Sequence, residues 1–434
     1  MRITGITTHD VRFPTSLHAD GSDAMHPDPD YSAASAILHT DGEHEGHGLT
    51  FTIGRGNELC VAAIESLAPL VVGRDTDDLF SDLGAFWKML TNDSQLRWVG
   101  PDKGVIHLGA AAIVNAVWDL FARTQDSAVW QLLCRLDAAE IVGLVDWTYL
   151  RDYLDPAQAR ERLEELAPTR AARVDDLVRF GYPAYTTTPG WLGYSDERLV
   201  DLSRQAVADG YAGIKYKVGA NLERDRHRLR LARETIGADV LLMADANQRW
   251  GVADAIEWVR ALAEYDLFWI EEPTHPDDVL GHAAIAGAVA PIRVATGEMA
   301  ASQLVFKQYL QAGALGVLQL DACRLAGVNE VIGTLLLAAH AGVPVCPHAG
   351  GVGLCQYVQH VAAFDVVAVS GTTAQRMTES ADHLHEHFVE AIDLHGGRYW
   401  PSSAPGYSVE LRADSIEEFA FPTGRYWRAL ERSR

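Results

Sequence analysis

The feature that most constrains this fold is a regular alternation of short apolar segments and amphipathic segments beyond about residue 140. The apolar segments are near-continuously apolar, as expected of strands buried on both faces of a parallel sheet, and the segments between them have helical spacing. Eight such units predict an α/β fold with a closed (β/α)8-type barrel, a modified TIM barrel. The strand candidates are IVGLVDW (141–147), AGIKYKV (212–218), VLLMADAN (240–247), LFWIEEP (267–273), IRVATGE (292–298), GVLQLDA (316–322), PVCPHAG (344–350) and DVVAVSG (365–371).

An open doubly wound sheet is the alternative, but no GxGxxG follows the first strand candidate. Before the barrel, three strand candidates come first and helical segments follow, without the regular alternation. This order predicts an N-terminal α+β capping domain over residues 1–138 and a barrel domain over 139–399. The tail from about 400 to 434 is expected to join the capping domain. Within 150–200, residues 155–181 are expected to be helical, and YPAYTTTPGWLGYSDE (182–197) is expected to be a long loop on the active face.

Composition narrows the class of protein. Lys and Arg total 36 against 59 Asp and Glu, so the net charge of −23 disfavours nucleic acid and anionic membranes as partners. Five cysteines without a CxxC pair indicate reduced thiols, and no apolar run reaches the length of a membrane span. We therefore expect a cytoplasmic protein that does not bind nucleic acid or membranes.

Six strand candidates carry a polar residue near the carboxyl end, at intervals of 23 to 28 residues: Lys217, Asp245, Glu271, Glu298, Asp321 and His348. Any one of them could be a helix N-cap. In a (β/α)8 barrel, however, strand carboxyl ends form the catalytic face, so all six side chains are expected to converge there.

Asp245, Glu271 and Glu298 would form a cluster of three carboxylates, which raise one another's pKa unless a cation lies among them. All-oxygen ligands favour Mg²⁺. Lys215 and Lys217, two residues apart, point to one face of their strand, beside this cluster. We expect the cation and the second ammonium group to depress the pKa of one lysine enough for it to act as a base. Asp321 is expected to orient His348.

These residues resemble a known family. KxK (215–217), DAN (245–247), IEEP (270–273), GE (297–298), Asp321 and His348 are similar to the mandelate racemase-type branch of the enolase superfamily. Further motifs, including RFPTSLHADGSDAMHPDPDYSAA (12–34), YPAYTTTPGWLGYSDE and CPHAGGVGLCQ (346–356), are similar to those of L-fuconate dehydratases.

The resemblance implies a hydro-lyase that acts on a small acid sugar. Asp245, Glu271 and Glu298 would bind Mg²⁺, and Lys215 would polarise the substrate carboxylate. Lys217 would abstract the α-proton to give an enediolate stabilised on Mg²⁺. His348, backed by Asp321, would protonate the departing 3-hydroxyl to give a 2-keto-3-deoxy acid, with Glu379 opposite the metal.

The resemblance also implies a substrate-binding set and a homo-oligomer. A capping loop would close over the polyol end of the substrate, and Trp191 is a further candidate for contact. The expected substrate-binding residues are Gly21, Ser22, Asp23, Tyr31, Trp191, Lys215, Asn247, Glu298, Ala349, Gly350 and Glu379.

Departures from the family pattern lie near the barrel mouth, at Met299–Ser302, Cys323, Leu325 and Ser380. They leave the catalytic set intact and bear on the distal end of the substrate. Two alternatives therefore stay open: dehydration or epimerisation of a different aldonate, and a catalytically silent ligand-binding barrel. His383 and His387 in HLHEHF are spaced like a zinc pair, but without a third ligand we expect a solvated helix face.

Overall fold

The N-terminal domain of the computed structural model, which describes residues 1–432, is built on an antiparallel sheet. Its strands β1 (Ile3–Arg12), β2 (Ser32–Thr40) and β3 (Gly46–Thr52) lie in the order β1-β2-β3. Six helices follow the sheet, and the first and fourth of them pack on one of its faces. They are α1 (Asn57–Leu67), α2 (Thr76–Ser81), α3 (Leu83–Thr91), α4 (Gly104–Thr124), α5 (Val129–Arg135) and α6 (Ala138–Gly143).

Helix α4 is the central helix of this domain. A Cβ atom at Gly48 of β3 would lie 2.6 Å from the backbone nitrogen of Ala116, so glycine is what lets α4 approach the sheet so closely. By length and composition α4 could cross a membrane, but 83% of its most apolar stretch is buried inside the protein. It is a core helix that joins the sheet to the barrel, and the indole of Trp118 donates to Asn329.

The barrel consists of eight parallel segments, which confirms the predicted fold class. Seven are strands: β4 (Tyr182–Gly190), β5 (Gly213–Lys217), β6 (Leu241–Asp245), β7 (Leu267–Glu271), β8 (Arg293–Thr296), β9 (Val317–Leu318) and β10 (Thr378–Ser380). The order β10-β4-β5-β6-β7-β8-β9 runs around the ring. The eighth segment, residues 344–348, hydrogen-bonds to β9 on one side and to Glu379 of β10 on the other, which closes the barrel.

The outer helices alternate with these segments. They are α7 (Pro156–Leu166), α8 (Arg170–Phe180), α9 (Asp196–Ala208), α10 (Leu222–Ile236), α11 (Val252–Leu262), α12 (Val279–Val289), α13 (Gln303–Gln311), α14 (Val328–Ala341) and α15 (Leu354–Phe364). The helices expected over 155–181 are present as α7 and α8.

Two predicted barrel strands are wrong. Residues 141–147 are not the first strand, because Asp137 and Glu140 form a capping box that starts α6 there. The first barrel strand is β4, within the segment predicted as a loop. Its Pro183 and Pro189 suggested a loop, whereas its Thr186–Thr188 run is typical of a strand.

The other wrong strand is 365–371. Asp365–Val369 form a π-helical turn that continues α15, and the last barrel strand is β10. All five residues of this turn are buried, and a short, fully buried apolar run does not distinguish strand from helix by periodicity.

The C-terminal tail contacts both domains. Strands β11 (Leu394–His395) and β12 (Arg398–Tyr399) form a hairpin that pairs with β4 of the barrel. Helices α16 (Ala413–Phe419) and α17 (Arg425–Arg432) follow, and the Phe421 amide donates to Asp10 in β1 at 2.7 Å. The predicted domain boundaries remain a prediction.

Candidate active site

The register of the barrel sheet brings the strand-end residues to one mouth. Lys217 pairs with Asp245, and Asp245 pairs with Glu271, so three neighbouring strands end at one level. Glu298 follows β8 by two residues, and Glu379 lies on β10. Asp321 follows β9, and His348 is the last residue of the 344–348 segment. The structure therefore gathers all the predicted catalytic and metal-binding side chains at the carboxyl ends of the strands.

Asp245, Glu271 and Glu298 form the metal site. Their ligand atoms lie within 4.8 Å of one another, and Glu298 Oε2 is buried without a hydrogen-bond partner among residues 1–432. Burial and then the charge of Asp245 raise the pKa of Glu271 to about 8. Gln319 holds Glu271 Oε2 through its amide at 2.6 Å. Three clustered carboxylates, one with an unpartnered oxygen, fit a hard divalent cation such as Mg²⁺.

The two lysines of β5 lie against these carboxylates. Lys215 Nζ is buried, 2.5 Å from Glu271 Oε1, 2.9 Å from Glu379 Oε1 and 3.3 Å from Asp245 Oδ2. Lys217 Nζ donates to Asp245 Oδ2 at 2.6 Å. Both lysines share Asp245, so they neutralise the carboxylate cluster from the cavity side.

The protein groups by themselves do not lower the pKa of Lys217, contrary to the expectation from the sequence. Burial and the charge of Lys215 lower the pKa of Lys217, but the charges of Asp245, Glu298 and Asp23 together raise it above its ordinary value. Conversely, although burial opposes ionisation, the two ammonium groups hold the pKa of Asp245 below its usual range. Lys217 can therefore serve as a base only when a cation takes up the charge of Asp245.

Asp321 and His348 form a carboxylate–imidazole pair. His348 Nδ1 lies 2.8 Å from Asp321 Oδ2, and because a carboxylate only accepts, Nδ1 carries the hydrogen and Nε2 is left for the cavity. Burial lowers the pKa of His348, but the charge of Glu298 and the hydrogen bond to Asp321, with the charges of Glu379 and Asp321, raise it to about 9. The imidazole is then protonated at neutral pH and can act as a general acid.

A cavity of about 260 Å³ lies between the barrel mouth and the capping domain. Gly21 must be glycine there, because its φ is +78° and a Cβ would overlap the Tyr31 ring. Of the predicted substrate-binding residues, nine line this cavity: Gly21, Asp23, Tyr31, Trp191, Lys215, Asn247, Glu298, Gly350 and Glu379.

Ser22 and Ala349 are not among the residues that line the cavity, and their assignment as substrate-binding residues stays a prediction. The Ser22 hydroxyl donates to the Ala19 carbonyl at 2.6 Å and accepts from the Gly193 amide at 2.9 Å, which fastens the capping loop to the segment after β4. The Ala349 amide donates to Glu379 Oε2 at 2.9 Å and so orients that carboxylate. Both residues support the site from behind.

Six polar residues that line the cavity were missed from the sequence: His26, Thr52, Arg55, Thr187, Gln248 and Arg324. The Thr187 hydroxyl is buried without a partner among the described residues, and it was missed because β4 was taken for a loop. Arg324 has no carboxylate within 4.0 Å among residues 1–432; its guanidinium contacts the Glu298 carbonyl and, at 3.1 Å, Met299 Sδ. Its signal was the position three residues after Asp321.

HLHEHF is not a solvated helix face. His383 packs between Tyr31 and Trp191, with ring centroids 5.0 Å from each, and burial lowers its pKa to about 3. His387 stacks on Phe13 and bonds to the Ser415 hydroxyl. The segment supports the walls of the cavity, and the described residues contain no metal cluster there.

Glu271 is expected to contribute about one proton to the release that accompanies Mg²⁺ binding at pH 7, because this carboxyl group, with a pKa near 8, must lose its proton to become a ligand. Metal affinity should therefore rise as pH increases towards 8. Calorimetry in two buffers of different ionisation enthalpy, at pH 7 and pH 9, measures the proton count. Glu298→Gln should weaken binding and reduce the protons released at pH 7, since the charge of Glu298 helps to raise the pKa of Glu271. Equal release at the two pH values in the native protein would contradict the prediction.

Comparison with known proteins identifies the family. Residues 33–134 match the mandelate racemase / muconate lactonizing enzyme N-terminal domain, and residues 198–415 match the enolase C-terminal domain-like model. Mitochondrial enolase superfamily member 1 from Bos taurus is 49% identical over 433 residues, 99% of this chain and 98% of the relative. L-galactonate dehydratase from Hypocrea jecorina is 48% identical over 425 residues, 97% of this chain and 94% of the relative.

Solved structures agree. The crystal structure of human mitochondrial enolase superfamily member 1 matches with a TM-score of 0.97 at 47% identity, covering 99% of this chain and 98% of that chain. More distant structures that contain magnesium, 23–24% identical, share the fold with TM-scores of 0.72 to 0.76. The all-oxygen donor set of Asp245, Glu271 and Glu298 fits the predicted Mg²⁺. The chain belongs to the mandelate racemase branch of the enolase superfamily.

Proposed function

We propose that this protein is a Mg²⁺-dependent acid-sugar dehydratase, a hydro-lyase, with L-fuconate as its preferred substrate. The observation that carries the proposal is the placement of Lys217 and the Asp321–His348 pair on different barrel segments around one carboxylate cluster. Such a site offers a base and a separate acid to one substrate, as loss of water from adjacent carbons requires. A ligand-binding barrel without activity would need neither. The dehydratase activity named for the relative from Hypocrea jecorina supports this reaction class.

The side chains divide the reaction between them. When bound, the cation would supply positive charge to the substrate carboxylate. Lys217 removes the α-proton, and Lys215, held between Glu271 and Glu379, places its ammonium group beside the negative charge that develops on the carboxylate oxygens. Stabilisation of charge that appears only after proton removal accelerates the step itself.

The second half of the reaction falls to His348. Its Nε2 lies 3.6 Å from Glu298 Oε2, at the edge of the metal site, and can deliver a proton to the departing 3-hydroxyl. Asp321 Oδ1 accepts from the amides of Cys323 and Arg324, which fixes the carboxylate that orients the imidazole. The resulting enol tautomerises to a 2-keto-3-deoxy acid.

The cavity wall bears on the choice of substrate. L-fuconate and L-galactonate share their configuration and differ at C6, which is a methyl group in the first and a hydroxymethyl group in the second. Phe51, Ile53, Leu108 and Met299 line part of the cavity and suit a methyl end. Arg324, which has no carboxylate partner among the described residues, favours the second candidate, L-galactonate, because it could donate to a terminal hydroxyl.

A screen of aldonic acids with Mg²⁺, detecting 2-keto-3-deoxy products as semicarbazones, tests the proposal. We expect kcat/KM for L-fuconate to exceed that for L-galactonate by about 10- to 100-fold, the range over which an apolar pocket discriminates against one added hydroxyl. Arg324→Met is expected to widen this ratio, since it removes the donor at the polar side of the wall.

Turnover of other aldonates without L-fuconate would replace the substrate while keeping the reaction class. No turnover of any acid sugar by the Mg²⁺-loaded protein would overturn the dehydratase itself.

A further inference from the structure

The capping loop carries a second carboxylate–imidazole pair, Asp23 and His26. His26 Nδ1 lies 3.1 Å from Asp23 Oδ2, and both residues line the same cavity as the Asp321–His348 pair. Glu298 and Lys217 line this cavity as well, so His26 faces the barrel mouth. This second pair has no part in the reaction steps described above.

The turn that holds this pair is closed by hydrogen bonds of its own. The amides of Met25 and His26 both donate to Asp23 Oδ1 at 2.7 Å, and the Asp23 amide donates to the His26 carbonyl at 3.0 Å. With the His26 ring on Oδ2, the Asp23 carboxylate accepts three hydrogen bonds within the turn. Most acceptor sites of the Asp23 carboxylate are therefore occupied within the turn, where they hold His26, and few are left for a ligand.

The orientation of the His26 ring follows from its partner. Because Asp23 only accepts, Nδ1 carries the hydrogen and Nε2 is left without a partner, as an acceptor in the neutral ring and a donor in the protonated ring. Nothing in residues 1–432 hydrogen-bonds to this Nε2, and the His26 side chain is 40% exposed. The imidazole thus offers to the cavity one fixed hydrogen-bonding atom, and a hydroxyl group can pair with it in either form because a hydroxyl both donates and accepts.

The loop is also anchored from the other side, so the position of His26 is defined. Tyr194 donates to Asp20 at 2.5 Å, Arg198 lies 3.3 Å from the same carboxylate and stacks on the Tyr194 ring, and the Leu192 amide donates to Ser22. A residue held on a pre-organised loop can select among ligands at little entropic cost.

We propose that His26 binds a hydroxyl group on the distal half of the acid sugar, beyond C3, through Nε2, and that Asp23 is its positioning residue. This inference rests on the proposed function, because the reacting carbons must lie at the metal site for the distal hydroxyls to reach the loop. It assigns to His26 the direct contact that the sequence suggested for Asp23. The site then selects acids that carry a hydroxyl at C4 or C5.

The test compares a full-length acid sugar with 2,3-dihydroxybutanoate of the same configuration at C2 and C3, which has no distal hydroxyl. His26→Ala in the Mg²⁺-loaded protein should lower kcat/KM for the acid sugar about tenfold, mostly through KM, because the hydrogen-bond partner of the distal hydroxyl is lost. Activity on the short acid should change by less than about twofold. Glutamine places an amide near the position of Nε2, so His26→Gln should recover part of the loss, and Asp23→Asn should show a smaller loss on the acid sugar alone.

His18→Ala is the matched control, because His18 lies in the same loop but outside the cavity and should change neither activity. Equal losses on both acids for His26→Ala would show a structural or chemical role and overturn the proposal, as would no loss on either. If the native protein does not turn over the short acid, the dissociation constants of both acids for the Mg²⁺-loaded variants make the same comparison. Failure of the native protein to act on any acid sugar would instead count against the proposed function.

Discussion

Replacement of Lys217 by alanine is expected to abolish exchange of the substrate α-proton in D₂O and to lower kcat for dehydration by about 10³-fold or more, near the upper range for loss of a general base. Lys217 Nζ is the amine at the mouth that only one carboxylate holds, Asp245, whereas Lys215 is held by three. Within residues 1–432, no other lysine lines the cavity. Exchange is followed by NMR loss of the α-proton signal, and dehydration by the 2-keto product.

Lys307→Ala provides the matched control. Lys307 is also a mostly buried lysine, 2.8 Å from Asp152 Oδ1 and 2.7 Å from the Tyr149 carbonyl, but it lies outside the cavity. Its loss should lower stability and leave the exchange rate per folded molecule unchanged. Exchange retained in the Lys217 variant would contradict the assignment and point to His348 as the base.

The barrel could be predicted from the sequence because its central strands are apolar runs that end in a polar residue. Strands β5 to β8 follow that rule, and the helices after them lie where the helical spacing predicts them. The prediction failed at the two ends of the barrel, where the pattern is not local. Strand β4 is rich in threonine and proline, and β10 has only three residues, so the two depend on pairing with each other, and β4 also on pairing with β5. The run at 365–369 is buried as a helical turn, which periodicity cannot separate from a strand.

The site could be predicted where a residue's role depends on its own position at a strand end, as for Asp245, Glu271 and His348. It could not be predicted where the role depends on a partner far along the chain. The pKa of Lys217 is set by Asp245, 28 residues away, whose pull exceeds that of the neighbouring Lys215. Likewise His26 gains its importance only because the loop around it is anchored to residues after β4.

Replacement of His348 by asparagine is expected to separate the two halves of the reaction. Proton exchange at the α-carbon should continue, because Lys217 lies on β5 and remains in place, while kcat for dehydration should fall by about 10³-fold. The hydrogen bond from His348 Nδ1 to Asp321 favours the protonated ring and raises the pKa of His348, so loss of His348 removes the acid that the departing hydroxyl needs. Exchange and product formation are measured in the same D₂O reaction.

Asp321→Asn tests whether the imidazole must be oriented to act. The new amide can still accept from the Cys323 and Arg324 backbone, but it no longer stabilises the protonated ring. Dehydration should therefore fall less than in His348→Asn, again without loss of exchange. Equal loss of exchange and dehydration in His348→Asn would mean that the imidazole is needed before the α-proton leaves. We expect Lys217→Ala to lose both exchange and dehydration and His348→Asn to lose only dehydration. That result would place the base and the acid on separate segments of the barrel, which a stepwise elimination needs and a binding site does not.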